Sequence, residues 1–204
     1  MCIIAVCEKR HLTPKEVKNC FSSNPDGVGI AWQSGDSVIF RKGFMKMTDF
    51  EAFYRRLHQL PHVVHFRNAT HGDIVPELTH PFLLGWTNPI KGRTKKGVLF
   101  HNGIISSWRE MLHLIATFCV IRKKNFPDGL WSDSRALAIV VSQVGTSYLG
   151  TLSDKFAVLT PKDGIQIWGS FIEEKGIRFS NTTYKGYTKI VRRYLWDDTD
   201  KYYG

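Results

Sequence analysis

Apolar residues fall in short blocks along this chain, and the blocks differ in period. Residues 2–7 (CIIAVC) form a continuous, largely β-branched run that predicts a buried strand. Residues 27–32 and 37–41 flank Ser34, Gly35 and Asp36, which predicts a β-hairpin. Residues 62–67 and 97–101 read as further strands. Residues 156–159 and 164–168 bracket Pro161, Lys162 and Asp163, a second hairpin.

Other blocks carry the helical period. Thr13, Pro14 and Glu16 make a capping box with proline at the first helical position, predicting a helix to about Phe21. Thr48 and Glu51 make a second capping box. Behind it Phe50, Phe53, Tyr54 and Leu57 share one helix face. Two more helices are expected, from Ser107 to about Phe118 and from Ser132 to about Val144. Hairpins and helices are grouped instead of alternating as strand–helix–strand units. The expected class is therefore α+β, with antiparallel sheets covered by helices.

The length of 204 residues implies one domain and a core that needs no disulfide or metal. An apolar fraction of 43% with 23% charged residues excludes disorder, collagen and coiled coil. The longest apolar run, 114–121, is interrupted by Thr117 and far short of the roughly 18 residues that span a bilayer, so no membrane association is expected. Glu8, Lys9 and Arg10 break the first apolar stretch, so no secretory signal is read and the expected compartment is the cytoplasm.

The net charge of +10 raises the question of nucleic acid. Its distribution argues against that partner: +6 falls in residues 1–102 and +4 in 103–204, with no basic arm. The densest clusters are the basic loop at 91–96 and the run 122–124. Cys2, Cys7, Cys20 and Cys119 form no paired metal or redox motif, and three of them read as small buried hydrophobes. His58, His62 and His65 do not share one face, which argues against a metal centre. No glycine-rich phosphate loop occurs, and no motif requires a cofactor.

Four places could carry chemistry. Removal of Met1, favoured by a small second residue, would give Cys2 a free α-amine with a pKa of about 7.7–8.0, placing nucleophile and base on one residue. Arg67, in the stretch HFRNATHG at 65–72, could hold a carboxylate, with Thr70 and Gly72 in a turn that exposes backbone groups. In HNGII at 101–105, the Asn102 amide and Gly103 N–H could face a developing oxyanion. In SDS at 132–134, Asp133 could bind an ammonium group, although Ser-Asp is also ordinary N-cap chemistry.

Taken with His80-Pro81 and the loop and strand at 24–32, these ordered motifs resemble the glutaminase domain of class II glutamine amidotransferases, a group of N-terminal-nucleophile hydrolases. The resemblance runs from residue 2 to about 170 and is strongest to compact, stand-alone members such as those carried by bacteriophages. It implies a four-layer αββα fold, two antiparallel sheets between helix layers. It also implies that Cys2 attacks the glutamine side-chain amide and that Asn102 and Gly103 hold the oxyanion. Arg67 and Asp133 would bind the α-carboxylate and α-ammonium, and Thr70 and His71 would support the carboxylate end. The whole of 1–204 would be one such domain, with 170–204 as its C-terminal extension. That leaves no room for a synthase domain, so ammonia would pass to a separate partner. The loop at 91–96 and the aromatic residues Tyr194, Trp196, Tyr202 and Tyr203 are candidate docking surfaces.

Three positions depart from the pattern: Ile3 where glycine is common, Asn68 where an aromatic is frequent, and Arg135 where an acidic residue is common. Two rival functions stay open. One is an amidohydrolase acting on γ-glutamyl or related amides, separable by substrate comparison. The other is a non-catalytic basic binding module, which predicts salt-sensitive nucleic-acid binding indifferent to Cys2.

Overall fold

The first strand, β1 (Ile3–Cys7), is buried on both faces, and its alternation decides the layering. The computed structural model describes residues 2–70 and 72–186; Met1, His71 and the aromatic residues from Tyr194 onward lie outside them. Ile3, Ala5 and Cys7 point into one core, and Ile4 and Val6 into another. A strand that is apolar at every position can lie only where both faces of its sheet are covered.

Around β1 a seven-stranded sheet assembles. It uses β2 (Val28–Ser34), β3 (Ser37–Phe44), β4 (His62–Phe66), β6 (Lys91–Thr94), β10 (Ile172–Glu174) and β11 (Ile177–Phe179), in the order β10-β11-β1-β4-β2-β3-β6. A second sheet, in the order β5-β7-β8-β9, holds β5 (Phe82–Leu83), β7 (Val98–Asn102), β8 (Lys155–Thr160) and β9 (Gly164–Trp168). All pairings are antiparallel.

Three cores separate four layers. Helices α1 (Pro14–Ser23) and α2 (Met47–Tyr54) cover the large sheet through Val17, Cys20, Phe50 and Tyr54. Ile4, Val6, Val63, Val98, Phe100 and Leu159 fill the space between the sheets. Helices α3 (Trp108–Arg122) and α4 (Asp133–Val144) cover the small sheet. Every residue of α4 from Ser134 to Val141 is buried, as expected of a helix held between a sheet and a second helix. The α+β expectation and the helix–sheet–sheet–helix layering are both found.

Local signals succeeded and failed for identifiable reasons. The Thr13 capping box forms: Thr13 Oγ1 accepts from Glu16 N at 3.2 Å, and Glu16 Oε2 accepts from Thr13 N at 2.8 Å. The box expected at Thr48 does not form. Helix α2 starts at Met47, because the Lys46 carbonyl accepts from Phe50 N, and Lys46 as N-cap has no side-chain acceptor with which to cap it. The apolar face of α2 is nonetheless present, with Phe50 and Tyr54 stacked at 5.2 Å. Residues 91–96 are not a free loop either. Their first four residues form β6, an edge strand paired to β3, and Lys95 bridges to Asp36 at 3.0 Å. Helix α3 runs one turn past its expected end, leaving Val120 and Ile121 exposed.

The resemblance stops near residue 170, but the sheet does not. Strands β10 and β11 close the β1 edge, and Ser180 Oγ accepts from Ile4 N at 2.9 Å. At the other side of the sheet, Gly29 lies so close to the His80 carbonyl that any β-carbon would overlap it. We predict that Gly29→Ala costs about 1–3 kcal/mol in denaturant unfolding, the range of an overpacked core. A variant of unchanged stability would show that the 76–88 segment can move away from β2.

Candidate active site

Antiparallel pairing of β1 with β4 sets Ile3 opposite Phe66. The residues just beyond each strand, Cys2 and Arg67–Asn68, therefore meet. Cys2 Sγ lies 3.3 Å from Asn68 N and 3.4 Å from Asn68 O, donating to the carbonyl and accepting from the amide. These are backbone contacts, so the side chain at 68 is not what holds the thiol. Burial pushes the Cys2 thiol above its ordinary value, while the Asn68 amide and the nearby Arg67 charge oppose that rise. Asn181 Nδ2 donates to the Cys2 carbonyl and fixes the strand entry.

The loop after α1 holds the Arg67 segment in place. Arg67 N donates to Gly27 O at 2.8 Å, Asp26 N donates to Arg67 O at 3.0 Å, and Asp26 Oδ2 accepts from Ala69 N at 2.7 Å. The Arg67 guanidinium is buried, and Nη1 donates to Asp73 O at 2.8 Å. Burial lowers its pKa from the usual value, and the surrounding Cys2, Asp26 and Asp133 act in the opposite sense.

Strand β7 and helix α4 build the opposite wall. Ser132 caps α4, its Oγ accepting from Arg135 N at 3.2 Å. Asp133 then points toward the strand end, with Oδ2 accepting from Ile105 N at 3.1 Å and Oδ1 from Ser134 N at 2.7 Å. Arg135, the departure that could have neutralised this carboxylate, turns away. It donates to the carbonyls of Asp128 and Leu130 and lies 4.5 Å from the Trp131 ring centroid.

Cys2, Arg67, Thr70, Gly103 and Asp133 line one cavity of about 500 Å³, together with His80, Trp108 and Trp131. Asn102 lies behind that wall. Its side chain is buried, Nδ2 donates to Ser180 Oγ at 2.8 Å, and Oδ1 has no partner. His71 is outside the described residues. Among the described residues no group of three or more His, Cys, Asp or Glu could hold a metal ion. His62 and His65 point to opposite faces of β4, one bonded to Tyr54 and the other to the His101 carbonyl.

Ser180, Asn181, Asp26 and Asp154 were not marked as site residues by the sequence. Asp26 lies in a stretch the resemblance includes. Ser180 and Asn181 lie beyond its end, and Asp154 looks like an ordinary polar residue before a strand. Three histidines gather at the cavity wall: His80 and His101 line it, and His65 packs against His80. His65 and His80 rings are 3.9 Å apart, and His80 to His101 is 6.5 Å. Both His80 nitrogens and His65 Nδ1 are buried without partners.

Among the described residues no helix is long and apolar enough to cross a membrane. No protein-family model matches the chain, and no curated protein does. Solved structures do match. The fold is that of the N-terminal-nucleophile hydrolases, two antiparallel sheets enclosed by helices. One similar structure is glutamine phosphoribosylpyrophosphate amidotransferase from B. subtilis, complexed with ADP and GMP. The TM-score is 0.58 at 15% identity, over 88% of this chain and 41% of that one. A second is the allosteric regulatory enzyme of purine biosynthesis, at TM-score 0.50 and 16% identity, over 82% of this chain and 35% of that one. This chain thus spans well under half the length of either protein.

The histidines make a pH prediction. Burial lowers His65 from 6.5 to about 3 and His62 from 6.5 to about 4, and it holds His80 well below 6.5. The unfolded chain protonates these groups first, so their contribution is present above pH 6.5 and is lost as pH falls toward 4 and then 3. The urea midpoint should therefore drop steadily from pH 7 to pH 4. A flat midpoint across that window would show that the histidines are not buried in neutral form.

Proposed function

We propose that this protein is a glutaminase of the class II glutamine amidotransferase type, releasing ammonia from glutamine for a separate acceptor. The observation that carries the reading is the convergence of Cys2, Arg67, Gly103 and Asp133 on one cavity within an N-terminal-nucleophile hydrolase fold. Glutamine offers a carboxylate, an ammonium and a neutral amide. The cavity offers a buried guanidinium, a carboxylate with lone pairs left after two backbone bonds, and a thiol.

In this reading the Cys2 thiol, kept protonated by burial, needs a base. Removal of Met1 supplies it as the α-amine of Cys2 itself. Sulfur bonds to the side-chain carbonyl carbon, and the thiol proton passes to the amine. The Gly103 N–H holds the oxyanion, joined by the second Nδ2 hydrogen of Asn102 once that amide, bonded to Ser180 behind the wall, turns toward the thiol. The amine then gives its proton to the departing nitrogen as the C–N bond breaks, leaving a γ-glutamyl thioester and ammonia. Water, deprotonated by the same amine, attacks the thioester and returns glutamate and free Cys2. Arg67 holds the α-carboxylate, with Thr70 and His71 beside it, and Asp133 holds the α-ammonium.

The chain as a whole, 1–204, acts in this reading as one cytoplasmic domain of the compact kind found in bacteriophages. Its ammonia acceptor is a partner protein. A second reading is favoured by Trp108 and Trp131, whose rings add an aromatic wall to the same cavity. That wall suits a larger γ-glutamyl amide, attacked by the same residues.

Cys2→Ala should reduce ammonia release from glutamine by at least about a thousandfold, the scale of a lost nucleophile. Unchanged release would sink both readings. Asp133→Asn can keep the acceptor for Ile105 but gives up the one for Ser134 N and the charge, so KM for glutamine should rise by roughly ten- to a hundredfold, as for a charged hydrogen bond. Faster turnover of γ-glutamyl peptides than of glutamine would select the second reading. Salt-sensitive RNA or DNA binding, with no hydrolysis of either substrate, would select a binding module instead.

A further inference from the structure

The turn at Asn102–Gly103 is flanked by a carboxylate that no motif marks. Asp154 directly precedes β8, whose register pairs Lys155 with Asn102. This brings the Asp154 side chain against the Cα of Gly103, where any β-carbon would overlap the carboxylate. Asp154 Oδ2 lies 3.1 Å from His101 Nε2. On the other side of the ring, His101 Nδ1 lies 2.9 Å from Ser134 Oγ. The His101 carbonyl accepts from His65 Nε2 at 3.0 Å, and the ring stacks on Phe156 at 4.9 Å. His101 is thus held at its backbone, its face and both ring nitrogens.

The hydrogen inventory bears most directly on the Nε2 side of the ring. Asp133 already takes backbone N–H groups at both oxygens, from Ser134 and Ile105. The Ser134 hydroxyl is closer to His101 Nδ1, at 2.9 Å, than to Asp133 Oδ1, at 3.2 Å. An ionised Asp154 can only accept. An accepting Asp154 therefore takes its hydrogen from Nε2, and Nδ1 shares the second bond with the Ser134 hydroxyl at 2.9 Å.

We propose that Asp154 is a positioning residue. It fixes the tautomer and ring orientation of His101, and it holds the adjacent Asn102–Gly103 turn in place. Through His101 and Ser134, whose backbone N donates to Asp133 Oδ1 at 2.7 Å, it joins that turn to Asp133, so the two ends of the substrate site are linked. The role in catalysis rests on the glutaminase reading above; the link from Asp154 to His101 does not.

The test uses the full-length protein with ¹⁵N-labelled histidine, as wild type, Asp154→Asn and Asp154→Ala, with His101→Gln to assign the resonance. Long-range ¹H–¹⁵N spectra report which ring nitrogen carries the proton. Wild type should show the Nε2–H form at His101. Asp154→Asn, whose carbonyl oxygen still accepts, should keep it, and Asp154→Ala should lose it. In glutamine hydrolysis Asp154→Ala should lower kcat by about tenfold or more, as expected when a reacting group is misplaced, with a smaller change in KM. Asp154→Asn should restore most of that loss. If Asp154→Ala fails to fold, Asp154→Ser, too short to reach the ring, takes its place. An unchanged His101 tautomer in the truncated variant overturns the proposal, as does a wild-type kcat in a folded one. A wild type that does not hydrolyse glutamine refutes the glutaminase reading, and the tautomer comparison still decides the Asp154–His101 link.

Discussion

The antiparallel register of β1 on β4 is the constraint from which the site follows. With Ile3 opposite Phe66, Cys2 is delivered to the backbone of Asn68 and to the vicinity of the Arg67 guanidinium. A slip of one residue would turn Ile3, Ala5 and Cys7 toward the inter-sheet core and break three packed layers at once. Burial on both faces makes that slip costly. The same strand is locked at its other edge by β11 and by the bond from Ile4 N to Ser180 Oγ. The position of the thiol is therefore a consequence of core packing and needs no contact made by its own side chain beyond the Asn68 backbone.

The second sheet supplies the opposite wall by an analogous device. Strand β7 ends at Asn102 where the sheet meets the start of α4, so a strand end and a helix N-terminus face the same cavity. Asp133 serves both structures. It accepts from Ile105 and Ser134, tying the turn after β7 to the helix, and it still faces the cavity with a negative charge. Arg67, just after a strand of the large sheet, and Asp133, at the start of α4, thus face one cavity with opposite charges. A zwitterion fits such a site better than a polyanion does, and this weighs against reading the overall charge of +10 as a nucleic-acid surface.

Much of this was legible in sequence because the relevant signals are local. The apolar run at 2–7, the Gly35–Asp36 turn and the Ser132 cap each depend on a few neighbouring residues, and each formed as expected. The order of motifs pointed to residues that do share one cavity, and Asn102 just behind it. What escaped was non-local. The Thr48 box is the local exception: Phe50 N donates to the Lys46 carbonyl, so the helix starts before Thr48 can cap it. The short strands β5, β6, β10 and β11 have too few residues to show a period. Ser180 and Asn181 act on Ile4 and Cys2 across more than 170 residues, and Asp154 acts on His101 across 53. No window along the chain contains both partners of such a pair.

The central claim is that Cys2, freed at its α-amine, is the nucleophile of a glutamine site. It is tested most directly by intact mass and peptide mapping before and after incubation with a glutamine-mimicking diazo ketone. The account predicts a starting mass that lacks Met1 and a single added label that maps to Cys2. A chain that begins at Cys2 and takes no label, or takes it at Cys7, Cys20 or Cys119 instead, would contradict it.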